Sequence, residues 1–271
     1  MIHEKYELIQ NNEKAEFVTY ILDNSESIDP ERKRPMIVIC PGGGYVHTSD
    51  REAEPVAIQM LSKGYQASIL RYSVEPAVFP TALCQLASAI GLIRDNAERW
   101  NVDPNKIIVM GFSAGGHLTA SLGVFWNREF LTEQLPYSKD QIKPNGLILS
   151  YPVISSGPYA HEGSFKAILG DKFEDQLSRE SLSLENQVTN ETPPTFLWHT
   201  VSDAAVPVEN SMLFAQSLLR HKVPLEMHIY PNGVHGLSLG TEETQSNGRV
   251  DHIQPEVENW VEMAARWVKG L

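Results

Sequence analysis

The sequence predicts an α/β fold with a mostly parallel central sheet, helices on both faces and a small cap-like insertion. Three observations predict it. Short apolar runs rich in β-formers, MIVIC, QASILRY, KIIVM, GLILSY, TFLWHT and LEMHIY, recur from Met36 onward, and such runs mark strands covered on both faces. Helical patterns lie between most of them, and strand–helix alternation argues for a parallel sheet with right-handed crossovers. A glycine-rich run, GFSAGG at Gly111–Gly116, joins one such strand to one such helix.

The elements follow in order. KYELI and AEFVTYIL alternate as half-buried strands do, and an antiparallel pair is expected at the start of the chain. Leu83, Leu86, Ala87, Ile90, Ile93 and Trp100 recur at the spacing of one buried helical stripe. Residues 208–220 and 255–268 are similarly amphipathic, and Pro255 suits a first helical turn. Residues 155–192 are polar and weakly periodic, and read as a cap inserted over one end of the sheet. The rest shows no linker or repeat, so a single domain over 1–271 is expected.

Composition bounds the function. Hydrophobic residues make up 42% and charged residues 21% of the chain, values ordinary for a folded globular protein. The formal net charge is −12 at pH 7 with no basic cluster beyond ERKR at Glu31–Arg34. Nucleic-acid affinity depends on phosphate contacts, so such a partner is not expected. Cys40 and Cys84 read as buried reduced thiols. No apolar stretch reaches the ~20 residues needed to cross a bilayer and the N-terminal residues lack an apolar signal core, so no membrane partner and a cytoplasmic location are expected.

Ser113 stands where KIIVM gives way to HLTASLGVF. Parallel sheets present ligands at the carboxyl ends of their strands. The Gly-x-Ser-x-Gly pattern holds a serine in a tight strand-to-helix turn, with Gly111 and Gly115 small where the two backbones nearly touch. The pattern alone would arise by chance about 0.1 times in a chain this long at ordinary glycine frequency, so its strand–helix setting matters. A serine hydroxyl needs a base, and the base an orienting acid. Asp203 follows TFLWHT and His235 follows LEMHIY, each on a loop at a strand's carboxyl end. That is the acid-then-histidine order such sites use. His117, His199, His228, Asp103, Asp171 and Asp175 are weaker candidates by position: inside helix or strand patterns, beside a proline, or without a preceding strand. Acyl transfer also needs donors for an oxyanion. The backbone N–H of Ala114 is one candidate, and CPGGGY after MIVIC offers others. A phosphate loop would instead carry a trailing Lys and Ser/Thr, where Tyr45, Val46 and His47 stand.

With these residues in place, the chain resembles the α/β-hydrolase family, and within it the esterase branch that includes acetylxylan-esterase-like and hormone-sensitive-lipase-like enzymes. The resemblance rests on PGGGY at Pro41–Tyr45, LRY at Leu70–Tyr72, GFSAGGHL at Gly111–Leu118, SDAAVP at Ser202–Pro207 and GVHG at Gly233–Gly236. It implies Ser113 as nucleophile, His235 as general base and then acid, Asp203 as its orienting carboxylate, and Gly43, Gly44 and Ala114 as oxyanion donors. Tyr45, with Tyr151 and Trp198, is a candidate to line an acyl pocket. Pro41 departs from the family's His, and Cys84 or Gln85 stands where relatives often place an Asp. The implied activity is serine-dependent hydrolysis of short acyl esters, acetyl groups on sugars or xylo-oligosaccharides, through an acyl-enzyme, with no cofactor or metal. An amide-cleaving relative (peptidase or formamidase) and a non-catalytic receptor on the same fold are the alternatives. The expected partner is a small-molecule ester; the oligomeric state stays open, a homodimer included.

Overall fold

A computed structural model describes residues 1–271. The chain opens with an antiparallel hairpin of β1 (Ile2–Gln10) and β2 (Glu13–Ile21). Asn11 and Asn12 form its two-residue turn, both at positive φ (52° and 65°), the geometry that matches the right-handed twist of the flanking strands. After them come β3 (Arg34–Cys40), α1 (Glu54–Ser62), β4 (Gln66–Arg71), α2 (Thr81–Asp95), β5 (Val102–Phe112) and α3 (Ser113–Phe125). Two short helices, α4 (Glu129–Thr132) and α5 (Lys139–Ile142), lead to β6 (Gly146–Ser150). Then come α6 (Glu162–Leu169), α7 (Gln176–Ser181), β7 (Thr195–Thr200), α8 (Glu209–Arg220), β8 (Leu225–Tyr230) and α9 (Trp260–Gly270).

All eight strands form one sheet in the order β1-β2-β4-β3-β5-β6-β7-β8. From β4 onward every neighbour is parallel; only β1–β2 and β2–β4 are antiparallel. The uninterrupted apolar runs have a direct cause. Met36, Val38 and Cys40 of β3 and Ile107 and Val109 of β5 join the core that also holds residues of α2, α3 and α8. Ile37, Ile39, Ile108, Met110 and Phe112 join the opposite core, with residues of α1 and α9. Both faces are covered, so neither parity of the strand is free to be polar.

All eight sequence-derived strands are present. One helix start is corrected: Pro255 lies in a turn, and α9 begins at Trp260. Proline occupies the first turn of α1 instead. Residues 155–192 carry α6 and α7. His161 caps α6 by accepting the Ser164 N–H, and Asp175 caps α7 by accepting the Ser178 N–H. No helix is long and apolar enough to cross a membrane. Cys40 and Cys84 are free and buried; burial pushes their thiols up to about 12 and about 11.

Candidate active site

Ser113 is the first residue of α3, immediately after β5, at φ 53°. Few non-glycine residues adopt that left-handed region. Here packing imposes it. A Cβ on Gly115 would lie 2.1 Å from the Cys40 carbonyl oxygen and 2.4 Å from that of Pro41, and one on Gly111 would lie 2.2 Å from the Gly115 carbonyl oxygen. Strand and helix therefore meet closely enough to force a sharp turn, and the serine sits on it. Its carbonyl accepts the Val153 N–H at 3.1 Å, which ties the turn to the end of β6.

The loops after β7 and β8 bring Asp203 and His235 to the same point. Ser113 Oγ lies 2.7 Å from His235 Nε2, and His235 Nδ1 lies 2.6 Å from Asp203 Oδ2. A carboxylate only accepts, so the Nδ1 proton donates to Asp203 and Nε2 is free to accept from the serine hydroxyl. Asp203 is buried. Burial works to raise its carboxyl, but hydrogen bonds from His199 and His235, charge attraction to His235 and the Val206 N–H outweigh it, and hold the group well below the usual carboxylate range. Its other oxygen, Oδ1, accepts the Ala205 and Val206 N–H groups, each at 2.9 Å.

His199, passed over in the sequence because it ends a strand, stands beside this pair. Its Nε2 lies 3.0 Å from the Val206 carbonyl and 3.4 Å from Asp203 Oδ2, and its Nδ1 lies 2.7 Å from Ser211 Oγ. Nε2 meets only acceptors and so carries the proton, which leaves Nδ1 to accept from Ser211.

The loop at Pro41–Tyr45 folds back beside Ser113. Gly43 and Gly44 adopt φ of 134° and 66°, conformations open to glycine. The Gly43 carbonyl accepts the Val46 and His47 N–H groups, while the amides of Gly43 and Gly44 donate to no acceptor within the chain. Ala114 lies in the first turn of α3, where helix amides point outward without intrahelical partners. Tyr72, of the LRY stretch, donates its hydroxyl to the Pro41 carbonyl at 2.8 Å, so the loop is anchored although Pro41 replaces histidine. Gln85, where relatives often have Asp, accepts the Ser73 N–H at 2.9 Å and donates to Ser73 Oγ at 2.7 Å, which fixes the segment after β4. Arg71 is half-buried, paired with the exposed Asp50 at 2.7 Å.

Tyr45 is buried, and its hydroxyl lies 2.9 Å from His117 Nδ1; His117 Nε2 lies 3.0 Å from the Leu182 carbonyl. Tyr45, His117, Val153, Ser164, Phe165 and Ile168 surround a crevice too narrow for a water molecule, and Ser113, Asp203 and His235 do not line it. Tyr151 and Trp198 do not line that space. Both are core residues, packed edge to face at 5.0 Å, with Trp198 stacked on Trp260. An open hollow of about 880 Å³ lies at the 155–192 segment between Ser155, Tyr159, Arg179 and Glu185, and Ser113, Asp203 and His235 do not border it.

Two further residues meet the site: Glu52, which carries no sequence signal, and Tyr151, expected only as a pocket-lining ring. Glu52 and Tyr151 are buried and hydrogen-bonded to each other, between the glycine loop and the His235 loop.

Comparison with known proteins follows the same lines. The chain is 37% identical over 215 residues to endo-1,4-beta-xylanase B of Butyrivibrio fibrisolvens, matching 78% of this chain and 34% of that protein. It is 29% identical over 238 residues to the acetylxylan esterase of Xylanibacter ruminicola, matching 86% of this chain and 46% of that one. The chain thus spans between a third and a half of these curated relatives. The crystal structure of an acetyl ester-xyloside bifunctional hydrolase from Caldicellulosiruptor lactoaceticus superposes with a TM-score of 0.82 at 39% identity, over 96% of this chain and 89% of that one. Residues 22–218 match the family model described as BD-FAE, and on these grounds the chain belongs to the BD-FAE family and has the α/β-hydrolase fold.

Proposed function

We propose that this protein is a serine-dependent carboxylic ester hydrolase that removes short acyl groups, acetyl above all, from sugars or xylo-oligosaccharides. The observation that carries the reading is the chain of contacts from Ser113 Oγ through His235 to Asp203, at 2.7 and 2.6 Å. Ser113 Oγ attacks the ester carbonyl while its proton passes to His235 Nε2. The unpartnered amides of Gly43 and Gly44, with that of Ala114, receive the oxyanion. The tetrahedral species collapses to an acyl-enzyme, and the Nε2 proton goes to the departing alkoxide. Water then enters by the same route and releases the acid. Asp203 holds the imidazole in the tautomer that accepts from serine, and balances the imidazolium charge as it forms.

The substrate clause draws support from the acetylxylan esterase and the acetyl ester-xyloside hydrolase among its relatives. We read residues 155–192 as a cap and the whole of 1–271 as one domain. A serine-directed organophosphate is expected to label Ser113 and abolish p-nitrophenyl acetate hydrolysis, and EDTA to leave turnover unchanged. Full turnover in Ser113→Ala would sink the reading.

A further inference from the structure

Glu52 lies in a 3₁₀ turn at Asp50–Glu52, on a segment with no role in the chemistry above, and its side chain is 3% exposed. A buried carboxylate is costly unless its oxygens are met by donors. Both are met, and the two partners lie on opposite sides of the site. Oε2 accepts the Gly42 N–H at 2.8 Å, and Oε1 accepts the Tyr151 hydroxyl at 2.7 Å. The Tyr151 oxygen in turn accepts the Ser238 N–H at 2.8 Å.

Each contact bears on a catalytic part. Gly42 is wedged against the nucleophile: a Cβ there would lie 2.9 Å from Ser113 Cβ and 2.8 Å from the Phe112 carbonyl oxygen. The residues that follow it, Gly43 and Gly44, carry the unpartnered amides. Ser238 is three residues beyond His235 and is gripped a second time, its Oγ donating to the Arg51 carbonyl at 2.6 Å. The Tyr151 ring packs edge-on to the His235 ring at 5.2 Å. Burial, and then the Glu52 charge, push the Tyr151 phenol well above its ordinary value, so its proton stays available to Glu52.

We propose that Glu52 is a positioning residue for ester hydrolysis: its two oxygens join the amide-bearing loop at Gly42 to the histidine loop at Ser238, through Tyr151, and so fix donors and imidazole about Ser113. The inference rests on the reading of Ser113 as nucleophile. It differs from a plain packing role in what it couples. Loosening either end displaces the oxyanion donors relative to the imidazole, an arrangement used in the transition state rather than in ground-state binding.

The test is steady-state hydrolysis of p-nitrophenyl acetate by Glu52→Gln, Tyr151→Phe and the double variant, with thermal melts alongside. Glutamine keeps the shape but cannot accept from both donors. Each single change is expected to lower kcat roughly 10–100-fold with KM within about twofold. The double variant is expected to lose no more than the worse single, because both break one linkage. Wild-type kcat in Glu52→Gln, a loss confined to KM, or a double variant equal to the product of the singles overturns the proposal. Should Glu52→Gln fail to fold, Tyr151→Phe decides alone by the same kcat and KM criteria. Retained turnover in Ser113→Ala would instead overturn the nucleophile reading and this inference with it. An inactive Ser113→Ala beside a fully active Glu52→Gln removes only the role of Glu52.

Discussion

Asp203 takes hydrogen bonds from His235, from two backbone amides and, at longer range, from His199. In the proposed mechanism only the first acts on the reacting proton; the others stop the carboxylate from turning. His199→Phe keeps an aromatic ring there but removes the Nε2 donor. Loss of one such bond, worth about 1–2 kcal/mol, is expected to lower kcat about 5–30-fold. An unchanged kcat on p-nitrophenyl acetate would show that the two amides hold Asp203 unaided. The linkage has a definite sign: the Asp203 carboxyl is depressed in the folded state, so it stabilises the fold above the ordinary carboxylate range, and that stability is lost as pH falls through its lowered value. The meeting of Ser113, Asp203 and His235 could be expected from the sequence because each follows a recognisable strand at a short distance. Glu52 was not legible there, and Tyr151 and His199 were legible only in other roles, as a pocket-lining ring and a weaker histidine candidate. Glu52 and Tyr151 are 99 positions apart and meet only once the sheet has formed, so no local pattern announces them.

At the scale of elements, α3 is pinned through His117, which joins Tyr45 in the glycine loop to the Leu182 carbonyl in the 155–192 segment. Burial pushes its imidazole down to about 4 from an ordinary 6.5. The folded state therefore resists a proton that the unfolded chain accepts. Stability is complete above pH 6.5 and falls as pH drops toward 4, by about 3 kcal/mol from this group. Burial lowers His161 and His252 in the same direction, so the His117 share is read as a difference. Urea melts at pH 7 and pH 4.5 should show a smaller loss for His117→Gln than for the wild type; parallel losses would refute the assignment. The strands were legible because coverage on both faces leaves continuous apolar runs. The start of α9 was not, because proline is compatible with a turn as well as with a first helical turn. α6 and α7 were hidden for a related reason: both are short, so the stripe of Phe165, Ile168 and Leu169 in α6 spans barely one turn, and α7 buries no residue at all.

Across the whole molecule, the carboxyl ends of β5, β7 and β8 deliver the three polar residues to one end of the sheet, while β3 delivers the glycine loop. What surrounds them is nearly full. The rings of Tyr45, His117 and Phe165 close on one another without room for a water molecule. Across a panel of p-nitrophenyl esters, kcat/KM is expected to be highest for acetate and to fall by at least about tenfold by octanoate, a discrimination of roughly 1–3 kcal/mol in a tight apolar pocket. Faster turnover of the long chain would mean that the acyl group lies elsewhere. The left-handed backbone at Ser113 reaches beyond catalysis. A side chain at φ 53° costs about 1–3 kcal/mol relative to a relaxed backbone, and glycine there would recover part of it. A library of this protein sorted only for heat resistance would thus tend to discard the one hydroxyl on which the proposed chemistry depends, so selection for durability here has to be run with selection for turnover beside it.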